Sequence, residues 1–361
     1  MSQFTSSIDP SAPTWPTVLT DLLHGIDLSG DVAAWAMDRI MSDEATHAQI
    51  AGLLVALRGK GETADELDGL VRTMLSHARR IEVAGPAVDI VGTGGDRSDS
   101  VNVSTMAALA IAGTGARVVK HGNRASSSAC GSADLIEALG VDLSLPPDDV
   151  AQIADQVGIT FCFAPVFHPA MRHAAIPRRE LGVPTIFNVL GPLTNPAQPA
   201  AAAIGCGDAR FAVLMADVLA RRGTSALVFR GDDGLDEITT TTTTTVWRTH
   251  HGAVTVESLD PARFGLQPVS AHDLRGGDVA YNTEVARDFM AGRRGPVRDV
   301  VLLNAAAALV ALADVDAGSD GALTPLEDAI VEAMGRVSQA VDDGSVAQVL
   351  EHWVAATLAR L

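Results

Sequence analysis

From residue 87 onward the chain repeats one alternation: a short β-branched run, a polar corner with glycine, then a helix of small residues. "AVDIVGTGG" leads to "STMAALAIAG", "ARVVKHGN" to "SADLIEALG", and "AAAIGCG" to "ARFAVLMADVLARRG", with "SALVFRGDDG" following. Strands alternating with helices form right-handed βαβ units and a mostly parallel sheet. Such a sheet is covered on both faces and needs a large apolar core. A chain of 361 residues, 47% of them hydrophobic, can supply one.

Residues 15–83 carry a helical pattern instead, with Ser29 or Asp31 and the Thr63–Glu66 capping box as start signals. Short spacers predict a small antiparallel bundle. "HPAMRHAAIPRRELGVPTIFNVLGPLTNPAQPA" interrupts the alternation and reads as an excursion back to that bundle. The expected fold class is therefore α/β: a small helical bundle domain plus a larger α/β domain with a mostly parallel central sheet flanked by helices. The helical domain is expected over 15–83 and about 168–195, and the α/β domain over 87–165 and about 200–361. Residues 1–14, rich in Ser and Pro, are expected to be a disordered tail. Residues 246–270 read as an antiparallel excursion, and the seven threonines 239–245 as an exposed strand or polar turn without function.

The net charge of −18 opposes nucleic-acid and anionic-membrane partners, which would be repelled. Cys130, Cys162 and Cys206 form no CxxC pair and are odd in number, so free thiols in a reducing cytoplasm are expected. No apolar run reaches about 18 residues without charge or proline, so no membrane span is expected.

Three polar clusters follow strands. The first is "VGTGGDRSDSVNVST", where Gly92, Gly94 and Gly95 let backbone N–H groups approach an anion. It is neither standard fingerprint: Arg97 occupies the sixth place of G-x-G-x-x-G, and no lysine supplies a Walker loop. Asn102, Ser104 and Thr105 sit where the next helix should start, with Ser104 expected to cap it. The second is "KHGNRASSS", residues 120–128, with Lys120 and Arg124 in a chain that has two lysines in all. Lysine beside serines at a sheet's carboxyl edge suits a diphosphate. The third is "GDDGLDEIT", four carboxylates in six residues, which repel one another unless a cation such as Mg²⁺ neutralises them. Arg178 and Arg179, in "RREL", offer a guanidinium for a carboxylate.

In order, "GTGGD", "NVST", "KHGNR", "GSAD", "HPAMRH", "RRELGVPTIFNVLGPLTNP" and "GLDE" make the chain similar to the anthranilate phosphoribosyltransferases. The resemblance implies phosphoribosyl transfer from 5-phosphoribosyl-1-diphosphate (PRPP) to the amino group of anthranilate, for tryptophan biosynthesis. It implies an active site at the hinge between the domains, Mg²⁺ at two per monomer, and a homodimer paired through the helical domain. It assigns PRPP to Gly92, Gly95, Asp96, Ser100, Asn102, Val103, Ser104, Thr105, Lys120, His121, Gly122, Asn123, Arg124, Ala125, Ser126, Ser127, Ser128 and Ser132. It assigns anthranilate to Gly92, Asn123 and Arg178, with His121, Pro165 and His168 lining the approach. Ser104, Asp236 and Glu237 are the implied metal ligands, and no residue is implied as an acid–base catalyst. Ser132 is also the expected N-cap of its helix. Cys130 and Met171 stand where family members often have serine or tyrosine.

Overall fold

The computed structural model describes residues 13–96, 98–125, 129–317 and 323–360. Most of the expected tail, residues 1–12, and the loop serines Ser126–Ser128 lie outside the described residues. The chain divides into two compact units, Met1–His77 with Ala170–Phe187, and Ala78–Pro169 with Asn188–Leu361.

The first unit is helical: Trp15–Leu23, Gly30–Met41, His47–Lys60, Ala64–Ser76 and Ala175–Leu181. Its starts are set by side-chain caps. Ser29 accepts from the N–H of Val32, and Thr46–Gln49 and Thr63–Glu66 form reciprocal capping boxes. Glu66 is fully buried and does more than cap. One carboxylate oxygen takes the N–H of Leu28, and the other takes Thr63 N–H and the ammonium of Lys60. That network ties the link before helix Gly30–Met41 to the link between helices His47–Lys60 and Ala64–Ser76.

The second unit holds one seven-stranded sheet: β1 (Val88–Gly92), β2 (Val118–Gly122), β3 (Ile159–Phe163), β4 (Ala201–Gly205), β5 (Ser225–Gly231), β6 (Thr244–His250) and β7 (Ala253–Leu259). The order is β3-β2-β1-β4-β5-β6-β7, parallel through β5 and antiparallel beyond it. Helix Pro296–Asp316 lies against β1, β4, β5 and helix Val103–Gly113, with Val300–Ala311 all buried. It is long and apolar enough to cross a membrane by length and composition alone, but its apolar surface is spent on this core.

The threonine tract departs from expectation. Thr239, Thr240 and Thr244 are buried, and only Thr244–Thr245 enter a strand. The reason is the acidic turn beside it. The hydroxyls of Thr239 and Thr241 donate to Asp233, and those of Thr243 and Thr245 donate to Asp232. Two of the four clustered carboxylates are thus satisfied by threonine, which leaves Asp236 and Glu237.

Candidate active site

The strand order reverses at β1. β2 and β3 continue on one side and β4 and β5 on the other, and ligands of such sheets sit outside the carboxyl ends at the reversal. There Gly92 and Gly205 end β1 and β4 as register partners, and Thr93 N–H donates to Gly205 O at 2.9 Å. The acidic segment lies directly on both glycines. A Cβ on Gly92 would meet Asp236 Oδ2 at 2.4 Å, and one on Gly205 would meet Asp236 O at 1.6 Å. Asp236 Oδ2 accepts the N–H of Gly94 at 2.6 Å, and Asp96 Oδ2 accepts the N–H of Asp236 at 3.4 Å. Two remote segments, 92–96 and 236–237, are therefore stitched into one crevice.

Asp236 and Glu237 are both buried. Burial, then the charge of Asp96, pushes Asp236 up to about 7. Glu237 is pushed well above the usual range by burial and by Asp236. Its carboxylate accepts the N–H of Ser104 in the first turn of helix Val103–Gly113. This corrects the expectation that Ser104 caps the helix. Asn102 is the N-cap residue, its side chain makes no cap bond, and Ser104 is already helical. The first-turn N–H is satisfied instead by a carboxylate at the positive end of the helix dipole. That leaves Ser104 Oγ to accept from Lys120 Nζ at 3.2 Å.

Lys120 is buried and also donates to Ile90 O. Burial lowers its pKa, and Asp89, Glu237 and Asp236 oppose that shift. Asp89 is a carboxylate inside the apolar strand β1, raised to about 6 by burial. Its oxygens accept from His121 N–H at 3.2 Å and Asn195 Nδ2 at 2.8 Å, while Asn195 Nδ2 also donates to Val119 O. The "KH" pair is thus set by Asp89 and Asn195, neither of which the sequence singled out.

The donor set at this crevice is hard oxygen: two carboxylates and the Ser104 hydroxyl. Two buried carboxylates raised by burial and mutual repulsion are the arrangement that a divalent cation relieves. No cluster of three His, Cys, Asp or Glu among the described residues forms a ready metal cage. Mg²⁺ suits such a half-set, because it keeps waters and takes substrate phosphate oxygens.

Of the loop 120–128, the described part ends at Ala125, whose N–H (3.0 Å) is accepted by Asp134 Oδ2 together with the N–H of Gly131 (2.9 Å). Asp134 therefore caps helix Ser132–Ala138, with Gly131 as the N-cap residue; Ser132, expected there, is the first helical residue. Ser132 Oγ donates instead to Asn123 O at 3.2 Å. Asn123 Oδ1 accepts the N–H of Arg124, and Arg124 pairs with Glu137 and Asp134. Ser100 pairs with Arg275 in an isolated β-bridge, and Val103 and Thr105 are buried.

The His121 and His168 rings lie 5.1 Å apart between centroids, tilted by 51°. His121 Nδ1 donates to Gly191 O and His168 Nε2 to Thr194 O, both at 2.9 Å, which fixes the nitrogen that carries the proton when each ring is neutral. Burial depresses them to about 3 and about 4. His121 Nε2 is buried without a partner. Pro165 is exposed on the short helix Ala164–Phe167. Arg178 belongs to the helical unit, half-buried, its guanidinium 5.8 Å from the Phe187 ring centroid.

Further residues shape the site from a distance. Asn304, in the middle of the apolar helix, clamps the backbone next to Glu237: its Oδ1 accepts Ile238 N–H and its Nδ2 donates to Ile238 O, both at 2.9 Å. An amide inside "VVLLNAAAALV" was the available signal.

Two family models cover most of the chain: glycosyl transferase family, helical bundle domain, over residues 16–78, and glycosyl transferase family, a/b domain, over 84–346. An anthranilate phosphoribosyltransferase of Arthrobacter sp. (strain FB24) is 56% identical, with 98% of each chain covered. The crystal structure of an anthranilate phosphoribosyltransferase from Thermus thermophilus is 39% identical, with a TM-score of 0.86 over 94% of this chain and 99% of that one. The Saccharomyces cerevisiae enzyme in complex with PRPP and Mg is 26% identical, with a TM-score of 0.85 over 96% and 98%. The yeast enzyme is also solved with 4-fluoroanthranilate, at 25% identity and TM-score 0.82 over 96% and 99%.

Proposed function

Because this chain belongs to the anthranilate phosphoribosyltransferase family, we propose that it transfers the phosphoribosyl group of PRPP to the amino group of anthranilate and releases diphosphate, a step of tryptophan biosynthesis. The observation that carries the reading is the crevice at the end of β1, where a glycine cradle, a helix start, Lys120 and the Asp236–Glu237 pair converge.

The anomeric carbon reacts through an oxocarbenium-like state as diphosphate departs, so charge on the leaving group must be neutralised. Asp236, Glu237 and Ser104 would hold Mg²⁺, which when bound supplies positive charge to the diphosphate. Lys120, already beside Ser104 Oγ, adds a second cation without a proton transfer. The glycine loop at Gly95 and the positive end of helix Val103–Gly113 would attract phosphate oxygens. Arg124 would exchange its pairs with Asp134 and Glu137 for diphosphate oxygens. Anthranilate's aromatic amine is unprotonated at neutral pH, so positioning is the main demand. Arg178 binds the carboxylate bidentately. His121 Nε2, a buried acceptor lacking a partner, is available to an amine N–H. Two Mg²⁺ per monomer, a homodimer through the helical unit and a cytoplasmic location complete the proposal.

The test follows anthranilate fluorescence with PRPP and Mg²⁺. Loss of fluorescence matched by diphosphate release supports it. Phosphorolysis of thymidine without turnover of anthranilate would make the chain a pyrimidine-nucleoside phosphorylase instead.

A further inference from the structure

The donor loop is held from outside by a segment that carries none of the recognised motifs. Residues 274–276 run against residues 99–101 as a short antiparallel zip: Val101 N–H donates to Leu274 O at 3.0 Å, Gly276 N–H to Asp99 O at 2.7 Å, and Ser100 bridges Arg275. One helical turn later, Asn282 projects back from helix Val279–Met290 and is only 3% exposed. Its Oδ1 accepts the N–H of Gly277 at 2.9 Å, which fixes the amide so that Nδ2 faces Asn102. Asn282 Nδ2 donates to Asn102 Oδ1 at 2.9 Å, and Asn102 Nδ2 donates onward to Cys130 O at 3.0 Å.

Two amides in series thus run in one direction, each accepting on one side and donating on the other. They join the 274–282 segment, the start of helix Val103–Gly113 and the residue before Gly131. The relay borders an open cleft of about 450 Å³, lined by Ser100, Cys130, Arg275 and Asn282. Its orientation cannot be inverted, because Gly277 offers only a donor and Cys130 only an acceptor. The side chain of Asn102 is consumed by this relay, which fixes the backbone that leads into helix Val103–Gly113.

We propose that Asn282 is a positioning residue for phosphoribosyl transfer, acting through Asn102 to hold loop 99–105 in the shape that receives PRPP. The inference rests on the function proposed above. Two variants test it. Asn282→Ala removes both bonds, and Asn282→Asp keeps the acceptor for Gly277 while turning an oxygen toward Asn102 Oδ1. The loss of the buried Asn282–Asn102 hydrogen bond, common to both variants, predicts a rise in the PRPP KM on the order of tenfold, with the anthranilate KM within about twofold. Asn102→Ala combined with Asn282→Ala should be no worse than Asn102→Ala alone, because the two residues act in one chain. Calorimetric titration with PRPP and Mg²⁺ gives the same ranking without turnover. Independent, additive effects of the two residues would overturn the relay, as would equal rises in both KM values or no change in either. If Asn282→Ala does not fold, Asn282→Asp is read by the same criteria. Wild-type protein that binds PRPP but ignores anthranilate would refute the proposed function and leave this inference to the titration.

Discussion

Replacing Gly205 with alanine tests how the acidic pair is seated. Gly205 lies outside every motif that resembles a substrate contact, yet a Cβ there would fall 1.6 Å from Asp236 O and 2.5 Å from Asp236 C. Atoms that close repel steeply, so the backbone at Asp236 must retreat by about 1.4 Å to reach even a 3.0 Å contact. The neighbour is backbone on a turn anchored by Asn304, so no flexible side chain can swing away. The retreat draws Asp236 from Gly94 N–H and Glu237 from Ser104 N–H. Forced overpacking of this kind costs about 1–3 kcal/mol of stability. A misplacement of ~1 Å at reacting groups costs on the order of 100-fold in rate. The expected result for Gly205→Ala is a folded protein with kcat reduced about 100-fold and a weaker apparent affinity for Mg²⁺. The assay is anthranilate turnover against Mg²⁺ concentration, with thermal unfolding in parallel. Gly335→Ala is the control: it meets nothing within 4 Å on helix Leu326–Asp342 and should be neutral or stabilising by up to about 1 kcal/mol. Wild-type turnover and Mg²⁺ dependence in Gly205→Ala would refute the reasoning.

The remaining predictions concern charge. Arg178→Ala should raise the KM for anthranilate on the order of 100-fold while the PRPP KM stays near wild type, since a charge-assisted bidentate pair is worth about 3 kcal/mol; equal rises in both would remove the carboxylate role. Alanine at both Asp236 and Glu237 should abolish Mg²⁺-dependent turnover, and surviving activity would remove the metal assignment. His121 and His168 are held neutral to about 3 and about 4, against 6.5 for a free histidine. The unfolded chain therefore takes up protons below about pH 6.5 that the folded protein refuses, so this stability is complete above 6.5 and is lost with acid at about 1.4 kcal/mol per pH unit per ring. Urea unfolding at pH 7.5 and pH 5 should show His168→Gln losing about 2 kcal/mol less than wild type over that interval; an identical loss would mean that the ring is charged in the fold. The comparison of variants isolates the histidine from Asp89 and Asp236, whose raised values act with the opposite sign.

The parallel sheet and its helices were legible because period and punctuation are local properties of a chain. So were the Thr63–Glu66 box and the antiparallel turn after β5. What was not legible depends on partners distant in sequence. Ser104 looked like a cap because it stands near a helix start, but the cap arrives from Glu237 on another segment. Ser132 lost the same role to Asp134 and Gly131. The threonine tract was misjudged because β-propensity describes a half-buried surface, whereas Thr239, Thr241, Thr243 and Thr245 are there as hydroxyl donors to Asp232 and Asp233. Asn195 and Asn282 show no pattern by themselves, and Asn304 shows only that an amide interrupts an apolar run. Each matters because a buried amide must satisfy both ends, and its partners lie on other elements. Asp89, a carboxylate in the middle of an apolar strand, and Asn304, an amide inside an apolar helix, are the two that the sequence itself could flag.

PRPP and its metal are expected against the carboxyl end of β1, between the glycine loop and the Asp236–Glu237 pair. Anomalous diffraction from crystals grown with PRPP and Mn²⁺ in place of Mg²⁺ locates that ion directly. The expected peak lies about 2.1 Å from a carboxylate oxygen of Asp236 or Glu237, with diphosphate oxygens completing its shell. A PRPP-bound crystal whose manganese peak lies away from both carboxylates would contradict it.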